Sequence, residues 1–183
     1  DRSQGSVEVL RTDTPEDTSQ AVVKFQIEKN SGETKTMYFL TWDAAMFYLE
    51  ESKEHQKNEE YKLWEKLEIL LLKDTIADKV YLPAEITLRS EGDEPHTLTG
   101  RGHYLFMTGR QDVTIENINV VGNISFPGDT AVLRLGEGVV GLKDVTVPSG
   151  KAEIVIEKGA EIPATFMGDD QSNLDVSIYC NHD

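Results

Sequence analysis

A series of short β-strand patterns after residue 68 constrains the fold of this chain more than any other feature of its sequence. Short runs alternate apolar and polar residues, Gly, Pro, Asn or Asp separates one run from the next, and no helical pattern intervenes. Such a series is typical of a β-sandwich, a β-barrel or a β-solenoid. Only the solenoid requires the strand patterns to recur along the chain, so an internal repeat separates the three architectures.

A repeat is present at a shift of roughly 27 residues, within the range of solenoids built from strands and turns. The shift aligns Val113 with Val140, Ile115 with Leu142, Ile118 with Val145, Val120 with Val147, and Asn117 with Asp144. One period earlier the aligned pairs are Ile86 with Val113 and Leu88 with Ile115. After Val140 the match decays, so we predict about three stacked coils of a β-solenoid. In these coils Ile115 would stack on Leu142, and Ile118 on Val145. Two ordinary hairpins that match by chance are the alternative.

The stretch VTIENINV, residues 113–120, changes phase in its middle. Val113 and Ile115 share one face, and the alternation resumes at Ile118 only after two polar residues. A chain that turns a corner within a coil needs a left-handed or bridging backbone conformation there, which Asn and Asp adopt more readily than most residues. We therefore predict a corner at Asn117 and, one period later, at Asp144.

Residues 1–67 predict a β-hairpin and a capping helix ahead of the coils, which occupy residues 68–183 and form one structural unit with the cap. Residues 1–20 are polar and predict a leader or an edge strand. Apolar and polar residues alternate over residues 23–27, NSGE supplies turn residues, and the alternation returns over residues 37–39. This pattern is typical of a hairpin.

The helix is predicted over residues 41–51. Trp42, Ala45, Met46 and Leu49 recur at helical spacing, and Thr41 or Asp43 can accept hydrogen bonds from the first backbone N–H groups. An uncovered solenoid end would expose its core and its unpaired strand edges. We therefore expect these four apolar side chains to cover the open end of the solenoid.

Four segments within residues 36–165 follow one another in a recognisable order: TMYFLTWDAAMFYLEE, EILLLKDTIADKVYLPAEITLRSEG, TLTG and VTIENINVVG. This order resembles the pectate-lyase-like right-handed parallel β-helix modules of bacterial cell-surface proteins. The resemblance implies a mainly β fold and an exported protein. Many members of that class are adhesin-like or stalk modules, and others are polysaccharide lyases or glycoside hydrolases.

The charge of the chain limits its partners. Asp and Glu number 33 against 18 Lys and Arg, which gives a formal net charge of -15. Such a surface repels nucleic-acid phosphates and anionic membranes, so we expect neither partner. No apolar run approaches the length of a membrane span, so we expect no membrane insertion. The chain begins with polar residues, and we expect that an export signal has been removed and that the protein is extracellular or at the cell surface.

The basic and acidic residues of the coils do not form an assembled catalytic set. Lyases of this class need a base next to a bound carboxylate, but Arg89, Arg110 and Arg134 fall in different phases of the repeat. Hydrolases need two facing carboxylates, and Glu116 and Asp144 lie near one predicted corner in different phases. We therefore expect no turnover of polysaccharides. A carbohydrate-active enzyme, or a fragment of one, remains the alternative.

One segment could hold Ca²⁺. Asp169, Gln171, Asn173 and Asp175 alternate in GDDQSNLD and all offer oxygen atoms, although the central Gly and the distal Glu of Ca²⁺ loops are missing. An acidic surface turn is the simpler interpretation, and we expect no other cofactor. His96 and His103 flank TLTGRG without the further ligands that a metal site would need.

Four aromatic residues are the candidates for ligand binding: Tyr81, Tyr104, Phe106 and Phe126. If they stack on one outer face, they favour sugar binding over a plain spacer. The sequence thus predicts a non-catalytic module that binds a glycan or a surface protein, or acts as a structural spacer. The single cysteine, Cys180, excludes an internal disulfide and is either an incidental residue or a reactive thiol. The sequence does not fix the oligomeric state.

Overall fold

The computed structural model describes residues 11–12, 18–29, 31–56, 66–78, 80, 86–106, 112–125, 131–147, 151–163, 165–168 and 175–181. In this part of the chain the elements are β1 (Arg11–Thr12), β2 (Val23–Glu28), β3 (Thr34–Phe39), α1 (Trp42–Gln56), β4 (Lys66–Leu71), β5 (Thr75–Ala77), β6 (Ile86–Ser90), β7 (Thr97–Phe106), β8 (Val113–Glu116), β9 (Ile118–Ser125), β10 (Ala131–Leu135), β11 (Val139–Val147), β12 (Lys151–Glu157), β13 (Thr165–Gly168) and β14 (Asp175–Asn181). No helix in these ranges is long and apolar enough to cross a membrane.

From β4 onward the strands alternate between two parallel sheets, which makes the chain a parallel β-helix, as the sequence predicted. The first sheet has the order β1-β3-β2-β4-β6-β8-β10-β12-β14, and the second has the order β13-β11-β9-β7-β5. Strands β2 and β3 form the predicted hairpin, and β2 pairs antiparallel with β4. The hairpin therefore extends the first sheet, and β1 pairs with its outer edge.

Two columns of apolar side chains run through the first sheet on its inner face. The first column consists of Ile27, Leu67, Ile86, Val113, Leu133 and Ile154. The second column consists of Phe25, Ile69, Leu88, Ile115, Leu135 and Ile156. All of these side chains are buried. Stacking of this kind buries the apolar face that a single coil cannot bury alone.

The register confirms one predicted step of the repeat and corrects the next. Ile86 pairs with Val113, and Leu88 with Ile115, as the repeat predicted. In the following coil, however, Ile115 pairs with Leu135 and not with Leu142. Ile118 likewise pairs with Val139 and not with Val145. The prediction was wrong here because the coils differ in length, so a single shift cannot align all of them.

In the four coils that begin with β6, β8, β10 and β12, a left-handed residue follows the strand of the first sheet, and one of these residues is Asn117. The backbone φ of Asn117 is 44°, and positive φ also occurs at Gly92, Gly138 and Gly159. The Asn117 side-chain amide donates to the Gly92 carbonyl at 2.9 Å, and Gly138 N donates to the Gly159 carbonyl at 3.0 Å. These bonds run between neighbouring coils, so the corners are tied to one another. The predicted corner at Asn117 is confirmed.

Asp144 does not form a corner. It lies within β11 of the second sheet and pairs with Thr165. The second sheet instead bends at glycine. Positive φ occurs at Gly122 and Gly141, where the pairing of β9 with β11 shifts register. A Cβ at position 141 would lie 2.5 Å from Asn119 Oδ1 and 2.6 Å from the Val120 carbonyl oxygen, so only glycine fits this bend without displacement of the neighbouring strand.

Helix α1 packs against β3 and β5, where it covers the end of the solenoid that the hairpin extends. The four predicted apolar residues are all buried, with Trp42 1% and Leu49 0% exposed. Thr41 Oγ1 accepts a hydrogen bond from Ala44 N at 3.0 Å, so Thr41 caps the helix. The helix continues beyond the predicted end at residue 51, to Gln56.

Candidate functional site

A groove of about 560 Å³ lies on the outer face of the first sheet and is the candidate functional site. It crosses β3, β2, β4, β6, β8, β10 and β12, so seven neighbouring strands contribute to it. Residues that point outward alternate with the buried columns along each strand, because successive side chains of a strand face opposite sides. The core therefore fixes which residues face the groove.

The strand register arranges the outward residues of the groove in two rows, each running across the strands. The middle row consists of Gln26, Glu68, Thr87, Thr114 and Arg134. The end row contains Glu28, Lys66, Asp112, Val132 and Glu153. Neighbouring strands lie about 4.8 Å apart, so the groups in each row recur at a regular spacing. The surface is polar, with Thr87 and Thr114 side by side at its centre.

Ion pairs engage several of the charges in and beside the middle row. Arg89 Nε donates to Glu68 Oε1 between neighbouring strands. Arg134 donates to Glu157 Oε1 at 2.5 Å, and Asn181 Nδ2 donates to Glu157 Oε2 at 3.2 Å. The hydrogen bonds from Asn181 and then Arg134 lower the pKa of Glu157 from its ordinary value. These ion pairs hold the side chains in place, so their charges are less available to a charged ligand.

The end row carries the more accessible carboxylates. Glu28, Asp112 and Glu153 are all exposed, and Lys66 lies directly opposite Glu28 in the register of β2 and β4. Asp112 Oδ1 accepts a hydrogen bond from Val132 N at 3.2 Å. A row with three carboxylates and one ammonium group repels anions. It can accept hydrogen bonds from hydroxyl or amide groups.

Lys24 lies beyond the groove on β2 and is paired. Its Nζ donates to Glu91 Oε1 at 2.9 Å and lies 5.7 Å from the centre of the Tyr38 ring. The hydrogen bond to Glu91 raises the pKa of Lys24 above its ordinary value, against the desolvation that lowers it. Lys24 is therefore a fixed cation at the edge of this face.

The four aromatic candidates are not among the described residues that line the groove. Tyr104 and Phe106 lie on β7 of the second sheet, where the backbone alone is described. Tyr81 and Phe126 lie outside the described residues. Among the described residues that line the groove, none is aromatic. Sugar stacking on these four side chains stays a prediction.

The predicted Ca²⁺ ligands are equally untested. Asp169, Gln171 and Asn173 lie outside the described residues, and Asp175 begins β14 with its backbone alone described. Within the described ranges no three His, Cys, Asp or Glu side chains are grouped so that they could hold a metal ion. His96 Nδ1 lies 3.7 Å from Asp74 Oδ1. For His103 the backbone alone is described.

The predicted position of Glu116 and Asp144 near one corner is wrong. Glu116 ends β8 of the first sheet, whereas Asp144 lies in the second sheet, so these carboxylates belong to different faces. Lys143, which lies 27 residues after Glu116, is in the second sheet as well. Arg110 lies outside the described residues. Arg89 and Arg134 lie on the first sheet in neighbouring rows and pair with different carboxylates.

The groove residues on β2, β4 and β12, including Gln26, Lys66 and Glu153, were not among the residues predicted from the sequence. Their polar phase was visible in the alternation, but their proximity depends on the antiparallel pairing of β2 with β4 and on the true coil lengths. No protein-family model matches the chain, and neither a curated protein nor a solved structure matches it.

Proposed function

We propose that this chain is a non-catalytic binding module of an exported bacterial surface protein and that the groove is its binding face. The observation that carries the proposal is the groove itself, a polar surface presented by seven neighbouring strands. Because the buried columns hold these strands, the groups in the groove are pre-ordered, which reduces the entropy cost of binding. The exported, bacterial and adhesin-like parts of the proposal rest on the sequence resemblance.

The chemistry of the groove favours a neutral glycan. The exposed carboxylates Glu28, Asp112 and Glu153 can accept hydrogen bonds from sugar hydroxyls, and they would repel uronates. Thr87 and Thr114 add hydroxyl groups that both donate and accept. Because no described lining residue offers a ring for stacking, we expect weak affinity. A protein surface is the second candidate ligand. A spacer role without a ligand is the third possible function.

A binding assay with a matched control tests this proposal. Neutral oligosaccharides and polygalacturonate would be titrated into the wild-type protein, into a double variant Thr87→Val with Thr114→Val, and into Thr99→Val on the second sheet. Each lost hydrogen bond is worth about 1 kcal/mol, so the double variant should bind a neutral glycan about tenfold or more weakly. Thr99→Val should bind like the wild type.

The outcomes separate the three roles. Binding of a neutral glycan that depends on Thr87 and Thr114 supports the proposal. Preference for polygalacturonate, or equal loss in Thr99→Val, contradicts it. If no glycan binds and a surface protein does, the second class of ligand replaces the first. A protein that binds neither is a spacer.

A carbohydrate-active enzyme is the alternative, and one pair of carboxylates favours it. Asp112 and Glu153 lie in the end row with Val132 between them. Two strand spacings separate their Cα atoms by about 10 Å, near the roughly 6.5–9.5 Å between the carboxyl groups of inverting glycosidases. Both side chains are exposed, which ranks this role second. Release of reducing ends from a glycan that is lost in Asp112→Asn or Glu153→Gln would replace the non-catalytic proposal.

A further inference from the structure

Helix α1 carries one large apolar side chain that its buried face does not use. The buried face consists of Trp42, Ala45, Met46 and Leu49, and none of them is more than 2% exposed. Phe47, by contrast, is 42% exposed. With 3.6 residues per turn, Phe47 lies on the opposite side of the helix from Leu49, which packs in the core. Much of its ring is therefore open to a partner.

Carboxylates border Phe47 at both ends along the helix. Asp43 comes four residues before it, and Glu50 and Glu51 come three and four residues after it. At these spacings the Cβ atoms of a helix lie about 5–6 Å apart, so the three acidic side chains are neighbours of the ring. All three are exposed, and within the described residues Asp43 and Glu51 form no ion pair. We call Asp43, Phe47, Glu50 and Glu51 the Phe47 face.

The hairpin of the same chain shows what a ring and a carboxylate bind together. Lys24 Nζ lies 5.7 Å from the centre of the Tyr38 ring and donates to Glu91 Oε1 at 2.9 Å. The ring attracts the cation through its negative face, and the carboxylate accepts its hydrogen bond. The Phe47 face offers the same two kinds of group to a cation from another molecule.

Arginine is the cation whose chemistry fits this face best. A guanidinium stacks flat on an aromatic ring and is more weakly hydrated than the ammonium of lysine. Its fork of N–H groups also donates to carboxylates beside the same ring. We propose that the Phe47 face docks an arginine-containing segment of a partner protein, with a guanidinium stacked on Phe47 and paired with Asp43 or Glu51. The net charge of -15 steers such a basic segment towards the chain.

A peptide series tests whether the face selects arginine. Three peptides of one length would carry Arg, Lys or citrulline at the same positions, separated by Gly and Ser. Each would be titrated into the whole chain at low salt and followed by calorimetry. The Arg peptide should bind most tightly, the Lys peptide about two- to fivefold more weakly, and the uncharged citrulline peptide not measurably. Added salt should weaken the binding of both cationic peptides, because the carboxylates are exposed.

Two variants on the face and one control locate the binding. Phe47→Leu keeps an apolar side chain but removes the ring, so the affinity for the Arg peptide should fall about two- to fivefold and the preference for Arg over Lys should disappear. Glu51→Gln should weaken both cationic peptides. Glu161→Gln makes the same change of charge at an exposed position after β12 and should bind both peptides like the wild type.

Circular dichroism of each variant confirms that it is folded, and NMR of the Phe47 ring protons shows whether the peptide reaches the ring. Binding that prefers Arg and depends on Phe47 and Glu51 supports the proposal. A folded wild type that does not bind the Arg peptide overturns it. Equal binding of the citrulline peptide, an unchanged preference in Phe47→Leu, or an equal loss in Glu161→Gln overturns it as well. No glycan enters these experiments, so this docking face and the proposed function of the groove stand or fall separately.

Discussion

The two ends of the first sheet finish the same two columns in different ways. At one end Ile27 and Phe25 of the hairpin cover the columns, and helix α1 lies beside them. At the other end Ile178 and Cys180 carry the columns to an exposed edge. Among the described residues, the same inward phase is therefore buried at the closed end and exposed at β14.

The closed end uses aromatic side chains where the middle of the solenoid uses aliphatic ones. The Phe25 and Phe39 rings are 4.6 Å apart, and the Tyr48 ring of α1 lies 6.1 Å and 5.9 Å from them. Large rings can fill the space where no further coil stacks and contribute packing beyond their buried area. The difference teaches that a solenoid end needs residues outside the repeat to close it, and that stability is distributed unevenly between the two ends.

The largest expected difference compares one residue from each end. Trp42→Ala removes a buried ring at the closed end and should lower the free energy of unfolding by about 3–5 kcal/mol. Ile178→Ala removes a half-exposed side chain at the open end and should cost about 1 kcal/mol or less. Both would be measured by urea denaturation. Equal costs would remove the contrast between the ends.

The second prediction compares two glycines with positive φ, one in the middle of the solenoid and one in the hairpin turn at the closed end. Gly141→Ala should cost about 2–4 kcal/mol, because φ is 82° and the new Cβ would lie within 2.6 Å of two neighbouring oxygen atoms. Gly32→Ala, in the hairpin turn, has φ 84° but nothing within 4 Å, so it should cost about 1 kcal/mol. Thermal and urea unfolding of the pair measure the difference, and similar costs would show that the bend at Gly141 tolerates a side chain.

Features set by local pattern could be predicted from the sequence. The hairpin, the four buried residues of the helix and the corner at Asn117 each depend on neighbouring residues, namely alternation, helical spacing and the conformational range of Asn. The fold class followed because several strand patterns recurred without helices. These predictions are confirmed.

The register of the coils could not be predicted, because connections outside the core vary in length without disturbing the stack. The first column advances from Leu67 to Ile86, then to Val113, Leu133, Ile154 and Ile178, and the step from Ile86 to Val113 is the longest of these. The shift that the sequence showed is therefore the length of this one coil and not a period. The groove could not be predicted for the same reason, since its rows exist only in the true register.

At the closed end, substitution of the residue that caps α1 should lower the free energy of unfolding less than substitution on the buried face of the helix. Thr41→Ala removes the hydroxyl that accepts from Ala44 N, and the free energy of unfolding should fall by about 1 kcal/mol. Thr41→Ser keeps the hydroxyl and should be close to the wild type. Urea denaturation of the two variants measures the difference. If Thr41→Ser is as destabilised as Thr41→Ala, the hydrogen bond is not the source of the stability.

The smallest effect is expected near the open end, where Glu157 of β12 accepts from Asn181 of β14 and from Arg134 of β10. These bonds lower the pKa of Glu157 in the folded chain, the one from Asn181 most. The unfolded chain then binds a proton at higher pH than the folded chain. The stabilising contribution is therefore fully present above the ordinary glutamate pKa of about 4.5 and is lost as the pH falls through the lowered value.

Glu157→Gln removes the titrating carboxyl group. The free energy of unfolding of the wild type, relative to that of the variant, should be constant near neutral pH. It should fall below about pH 4.5. Urea denaturation across a pH series measures that difference, and NMR titration of the carboxyl carbon measures the pKa itself. Asn181→Ala is the control, because it removes the largest cause and should move the folded pKa back towards its ordinary value. A pKa that Asn181→Ala leaves unchanged would mean that β14 is not tied to β12 through this contact, and that the open end is looser than its register implies.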